Sequence, residues 1–300
     1  MNRILLLGKH GQLGWELRRT LAPLGEITAI DREEVDLSQP GQLRGVVADV
    51  RPQAIVNASA YTDVDGAENR PQLAISVNRD APAILAEESR RLGIPLIHYS
   101  TDFVFDGSLG RAYTETDSPN PLNVYGQSKL EGEQAIQALH GMYLIFRTSW
   151  VYSLRGNGFV SKVLRWAREK QSLRVVDDQT GSPTWARMLA EMTSLSLMQA
   201  ETRGPNWLAE QSGIYHLAGN GAATRFEWAQ AILALDPLAH EQRCQSLLPA
   251  KTEEFPAPAQ RPAYSALDCR KFEDTFGLVI PHWRENLQLA MDTSLFQGNM

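Results

Sequence analysis

Tyr125 and Lys129 lie four residues apart in Tyr-Gly-Gln-Ser-Lys. That spacing puts a phenol and an ammonium on one face of a helix. A free phenol ionises at about pH 10, too high to match neutral-pH chemistry. A nearby cation favours the phenolate and lowers that value. Tyr125 is then suited to give its proton to a carbonyl oxygen as hydride reaches the carbon. Lys129 can also hold a nicotinamide ribose. Upstream, His98-Tyr99-Ser100-Thr101-Asp102 ends an apolar run with hydroxyls. Thr101 can hydrogen-bond the same carbonyl and polarise it. Alone, the Tyr/Lys pair also suits an exposed helix, and Thr101 also suits a strand cap. Their conjunction with a glycine loop is the specific signal.

That loop is Gly8-Lys9-His10-Gly11-Gln12-Leu13-Gly14, between an apolar run and a helical stretch. Glycines let a backbone turn tightly and approach a pyrophosphate, whose charge a helix N-terminus favours. Gly8, Gly11, Gln12, Leu13 and Gly14 are therefore expected to hold a dinucleotide. Asp31 ends the next strand, where a carboxylate can bind the adenosine ribose. Arg32 beside it can meet a 2′-phosphate instead. The two pull toward NADH and NADPH respectively, so both cofactors are expected to be usable, NADPH slightly favoured. Asp36 and Leu37 are expected beside the adenine. Ala60, Tyr61 and Thr62 are expected along the cofactor's middle, with Tyr99 nearby.

Alternating elements position these residues. Apolar runs predict strands at Arg3–Leu7, Glu26–Ile30, Gln53–Asn57, Pro95–Ser100 and Tyr143–Thr148. Helices are predicted between them: Gly11–Leu21, Gln42–Val50, Leu73–Leu92 and Val124–Leu139. The fold class is thus α/β, a doubly wound parallel sheet of Rossmann type with right-handed crossovers. Ligands bind such sheets beyond the strands' carboxyl ends, where the polar clusters fall. Residues 1–150 read as a cofactor-binding domain. Residues 151–300 read mainly as a smaller substrate-binding domain, some of whose segments return to the sheet. Helices are predicted there at Asn157–Lys170, Trp185–Ala200, Phe226–Leu235 and Pro281–Leu295. Leu248–Pro262 reads as a proline-rich loop.

The chain has 300 residues, 43% hydrophobic and 21% charged, as in an ordinary globular protein. Its net charge of −6 and pI of about 5.6 argue against a nucleic-acid partner. Two cysteines, Cys244 and Cys269, without a CxxC or Cys/His cluster, read as free thiols in a reducing compartment. Ile4–Leu7 is too short for a signal segment or a membrane span. A cytoplasmic protein with no membrane partner is expected.

Longer stretches resemble a known family. They are Val56-Asn-Ala-Ser-Ala-Tyr-Thr-Asp-Val-Asp-Gly-Ala-Glu68, Ser100-Thr-Asp-Phe-Val-Phe-Asp-Gly107, Pro121-Leu-Asn-Val-Tyr-Gly-Gln-Ser-Lys129, Arg147-Thr-Ser-Trp-Val-Tyr152, Asp178-Gln-Thr-Gly-Ser-Pro-Thr184 and Arg261-Pro262. Together they resemble the dTDP-4-dehydrorhamnose reductases, within the extended short-chain dehydrogenase/reductases. The resemblance runs from Arg3 to about Trp283. It implies NAD(P)H-dependent reduction of a dTDP-linked 4-keto-6-deoxy sugar, dTDP-4-dehydro-6-deoxy-L-mannose, to dTDP-L-rhamnose. That would be the last step of a precursor pathway for surface polysaccharide such as lipopolysaccharide. It implies Tyr125 as proton donor, Lys129 as its electrostatic partner and Thr101 as carbonyl ligand. Asp102 and Trp150 are implied as sugar contacts, and Arg261 as a diphosphate contact.

Some members of the family hold Mg2+ between glutamates at a homodimer contact. Glu16 and Glu191 fall where two such ligands could come from. Near the C-terminus stand Asp292 and Ser294, not a third glutamate, and this departure counts against the metal and that dimer. Phe103 stands where relatives often carry tyrosine. It also stands where a nucleotide-sugar dehydratase needs a glutamate, and phenylalanine cannot move a proton. A 4-epimerase would keep Thr101, Tyr125 and Lys129 but would retain its NAD. A non-catalytic, nucleotide-binding regulatory subunit would be expected to have lost part of that set.

Overall fold

The computed structural model describes residues 3–292. Its centre is a six-stranded sheet with every pairing parallel. The order is Gly213–His216, Tyr143–Thr148, Leu96–Thr101, Ala54–Asn57, Arg3–Leu7, Glu26–Ile30. A parallel sheet must be covered on both faces, and the strands read accordingly as continuous apolar runs. Ile4, Leu6, Ile97 and Phe146 pack into one core, whereas Leu5, Leu7, Ile55 and Ile145 pack into another. The chain leaves Arg3–Leu7 for the neighbour on one side, then crosses to Ala54–Asn57 on the other. That reversal opens a crevice at the carboxyl ends, where Gly8 begins.

The five strands expected from sequence are present, within a few residues at their ends. Gly213–His216 pairs with Tyr143–Thr148 as the edge strand. The Ala186–Arg203 helix packs on Gln12–Thr20, where the Thr20 hydroxyl donates to the Ala190 carbonyl.

Three expectations need correction. The expected helix Leu73–Leu92 starts at Pro71 and carries a π turn over Ser76–Asp80. The turn inserts Asn78, fully buried, whose amide grips the backbone N–H and C=O of Tyr61. The expected loop Leu248–Pro262 begins as a strand, Ser246–Ala250, parallel to Ser172–Val176. Pro249 is tolerated because that sheet has only two strands, so its missing N–H can face away from the partner. The closing helix runs from Trp283 to Met291. Ser294 and the rest of its expected end lie outside the described residues.

Candidate active site

A cleft of about 770 Å³ opens at the carboxyl ends of the strands. Every residue expected to touch cofactor or carbonyl lines it, Gly14 excepted. Gly14 serves the loop from within. A Cβ there would stand 1.9 Å from the Gly8 carbonyl oxygen. Gly8 itself has φ +90, and a Cβ on it would press on Ser59 and Ala58 at 2.9–3.0 Å. Gly11 caps the Gln12–Thr20 helix without a side-chain acceptor, so the N–H groups of the first turn stay available to an anion. The Asp31 carboxylate accepts from the N–H groups of His10 and Arg32, at 2.9 and 2.8 Å, and so holds loop and strand end together. The Gln12 side-chain carbonyl accepts from Ser153 N–H at 2.7 Å, tying the loop to the second half. This cradle fits a dinucleotide. Gly14→Ala is therefore expected to raise the NADPH dissociation constant about 100-fold, because a misplacement of about 1 Å costs that much. Fluorescence titration with NADPH measures it, and affinity within about threefold of wild type would show that the loop yields.

Thr101, Tyr125 and Lys129 converge at the same edge. Thr101 ends its strand, 5% exposed, and its hydroxyl donates to Asp102 Oδ1 at 3.2 Å. Tyr125 and Lys129 project from the Val124–Gln137 helix, whose first turn is capped by Asn123 through the N–H of Gly126. Gly126 must be glycine, since a Cβ would meet the Phe103 carbonyl at 2.2 Å. Lys129 is 2% exposed, and its ammonium donates to the Tyr99 carbonyl at 2.6 Å.

Sequence suggested that Lys129 would lower the Tyr125 pKa. Instead burial dominates and pushes Tyr125 up to about 12, opposed by a hydrogen bond with Thr101. Burial likewise pulls Lys129 down to about 8. His98 lies beside Lys129. Its Nε2 lies 3.2 Å from the Lys129 nitrogen and its Nδ1 lies 3.1 Å from the Asn57 amide nitrogen. The Asn57 oxygen accepts from Ser59 N–H, which leaves its amide nitrogen facing His98 Nδ1. Burial and the Lys129 charge hold His98 neutral.

Asp102 is buried and accepts from the Ser149 and Ser265 hydroxyls at 2.9 and 2.6 Å. Burial pushes its carboxyl upward. Trp150 lines the cleft at φ 45, a left-handed backbone imposed by its setting. A Cβ on Gly181 would come within 2.5 Å of its ring. Arg261 does not line the cleft. Its guanidinium is forked onto both Asp65 oxygens, at 2.8 and 2.6 Å.

Glu16 and Glu191 border one surface hollow with Arg19, Arg155 and Arg187. Glu191 is paired with Arg187 at 2.9 Å and Glu16 lies 3.9 Å from Arg19. Among the described residues no group of three His, Cys, Asp or Glu could hold a metal. This basic hollow does not fit Mg2+.

Sequence reasoning did not single out Asn78, Asn57, His98, Ser149 and Ser265, which hold the cleft residues in place. Asn57 and Ser149 stand inside the family-like stretches, so a signal for them existed. Asn78 had none, because a π turn leaves no mark in apolar periodicity.

The whole chain has close likenesses. It matches the RmlD substrate binding domain family over residues 1–296. It is 40% identical to a dTDP-4-dehydrorhamnose reductase of Burkholderia thailandensis, covering 98% of this chain and 100% of that protein. The crystal structure of a dTDP-4-dehydrorhamnose reductase from Clostridium acetobutylicum superposes with a TM-score of 0.87 at 32% identity, over 98% and 99% of the two chains. The Bacillus anthracis dTDP-4-dehydrorhamnose reductase, solved in complex with NADP, gives 0.84 at 35% identity, over 96% and 98%. With its fold and sequence alike shared, the chain belongs to the RmlD substrate binding domain family, that of the dTDP-4-dehydrorhamnose reductases.

Proposed function

We propose that this chain reduces dTDP-4-dehydro-6-deoxy-L-mannose to dTDP-L-rhamnose at the expense of NADPH, with NADH also accepted. The observation that carries the chemistry is the meeting of Thr101, Tyr125 and Lys129 in the cleft that begins at the glycine loop. Gly8, Gly11, Gln12, Leu13 and Gly14 would hold the pyrophosphate, Asp31 and Arg32 the adenosine ribose, and Asp36 and Leu37 the adenine. Ala60, Tyr61, Thr62 and Tyr99 would line the middle. When bound, the reduced nicotinamide supplies the hydride. Thr101 orients the sugar carbonyl, and Tyr125 delivers the proton to its oxygen. A phenol held near pKa 12 is fully protonated at neutral pH, as a reductase's donor must be. Lys129 holds the nicotinamide ribose. Asp102 and Trp150 seat the sugar.

The division at residue 150 belongs to the same proposal, with the cofactor half before it and the sugar half mainly after it. Among the described residues no helix is long and apolar enough to cross a membrane. A cytoplasmic setting, and pairing of two copies without Mg2+, complete the proposal.

The test is oxidation of NADPH and of NADH by purified protein given the 4-keto sugar nucleotide. No oxidation of either, by protein that binds NADPH, would exclude this substrate. The pH profile is a second check. Lys129 loses its charge as pH rises through about 8, below the usual lysine range. So kcat/KM, which reports the free enzyme, is expected to fall on the alkaline side from about pH 8. A flat profile to pH 10 would remove the charged Lys129 from the mechanism.

A further inference from the structure

Arg225 opens the Arg225–Ala234 helix, just after the capping Thr224. Its guanidinium carbon lies 3.5 Å from the centre of the Trp150 ring, 5.1 Å from Phe159 and 5.6 Å from Trp228. Among the described residues no carboxylate forms an ion pair with it, and its side chain has no hydrogen-bond partner. The acid that it senses is Asp102, but the Asp102 oxygens are already met by Thr101, Ser149 and Ser265. Arg261 nearby adds repulsion, and burial pulls Arg225 down to about 9. A cation so placed is stabilised by aromatic faces but lacks an anion. Trp150, on which it rests, lines the cleft with Thr101, Asp102 and Tyr125. The guanidinium therefore lies against a ring that forms the cleft wall, without itself lining the cleft.

We infer that Arg225, stacked on Trp150, receives the diphosphate of the nucleotide sugar, in place of Arg261. This rests on the substrate class proposed above. The planar fork of an arginine matches phosphate oxygens in pairs. The fork of Arg261 is already spent on Asp65, with a further bond to the Ala259 carbonyl. Arg225 has its donors uncommitted. An arriving diphosphate would supply the missing negative charge and fix the sugar one bond away from it, beside the Trp150 ring.

The experiment titrates the full-length protein with dTDP and with thymidine, in wild type, Arg225→Gln, Arg225→Lys and Arg225→Met. Arg225→Gln is expected to weaken dTDP about 10- to 100-fold, the size of a lost hydrogen bond to a charged group, while thymidine and NADPH change by less than about twofold. Arg225→Lys should fall between, since it keeps the charge without the fork. With the sugar nucleotide, KM should rise more than kcat falls. Equal loss of dTDP and thymidine in Arg225→Gln, restored by the long apolar chain of Arg225→Met, would show that Arg225 only packs Trp150 and would overturn the inference. Unchanged dTDP affinity in every variant would overturn it too. If wild type binds dTDP through Arg225 yet oxidises no NADPH with the 4-keto sugar, the proposed reaction falls and this assignment stands.

Discussion

Tyr125→Phe is expected to lower kcat about 100- to 10,000-fold, the range for losing a positioned general acid. The substitution removes one hydroxyl and keeps the ring. The edge contact with Phe103, at 5.8 Å between centroids, survives, and so does the Asn123 cap of the helix. NADPH affinity should stay within about threefold, since the phenol's own contribution is one hydrogen bond. Thr101 is the other hydroxyl at the carbonyl, but it already donates to Asp102 and accepts from Phe103 N–H. Its one proton can turn from Asp102 to a carbonyl oxygen as a hydrogen bond, without being given up. Thr101→Val should therefore cost about 10- to 100-fold by losing a donor to the carbonyl, less than Tyr125→Phe. Steady-state and single-turnover NADPH oxidation measure both. A Tyr125→Phe enzyme within tenfold of wild type would hand the proton step to solvent or Thr101.

What the sequence disclosed follows from the range of its signals. The glycine loop, the strand-end Thr101 and the Tyr125/Lys129 pair are local patterns, each contained in one turn or one helix, and the structure assembles them in one cleft. The strands of the first half were legible because a strand buried on both faces is a plain apolar run. Gly213–His216 and Ser172–Val176 were not, because polar residues interrupt their apolar ones. The partners of Asp102 come from positions 149 and 265, so no window along the chain contains them. The same holds for the grip of Asn78 on Tyr61 and for Arg225 on Trp150. The family-like stretches contain both Arg261 and Asp65 but do not join them. Only the fold reveals that Asp65 claims it. The expected effect of Lys129 on Tyr125 had the right partners and the wrong dominant force. Sequence spacing shows charges, whereas depth of burial needs the packed molecule.

Glu133 extends the logic of the catalytic helix by one more turn. Tyr125, Lys129 and Glu133 recur every four residues and so share one face, turned toward the sheet. Glu133 is fully buried and forks onto Arg147, with Nε–Oε1 at 2.9 Å and Nη2–Oε2 at 2.6 Å. Arg147 lies on Tyr143–Thr148, in register with Ser100, one residue before Thr101. The ion pair thus pins the helix that carries Tyr125 and Lys129 to the strand that flanks Thr101. Glu133→Ala would strand Arg147 as a buried cation whose Nη1 already lacks a partner. The expected cost is about 3–5 kcal/mol of unfolding free energy, the usual penalty for breaking a buried pair from one side. Urea melts measure it. Removing both charges together, as Glu133→Leu with Arg147→Met, should recover most of that loss, because neither charge then remains to be desolvated. The double variant separates stability from positioning. If the pair only maintains the fold, its recovered stability should bring back full kcat/KM. If the pair sets the placement of Tyr125 against Thr101, kcat/KM should stay depressed about tenfold or more in a protein that melts normally, since small misplacements carry such costs. A double variant as active as wild type would reduce Glu133 and Arg147 to scaffolding, and a Glu133→Ala variant within about 1 kcal/mol of wild type would contradict the burial argument itself.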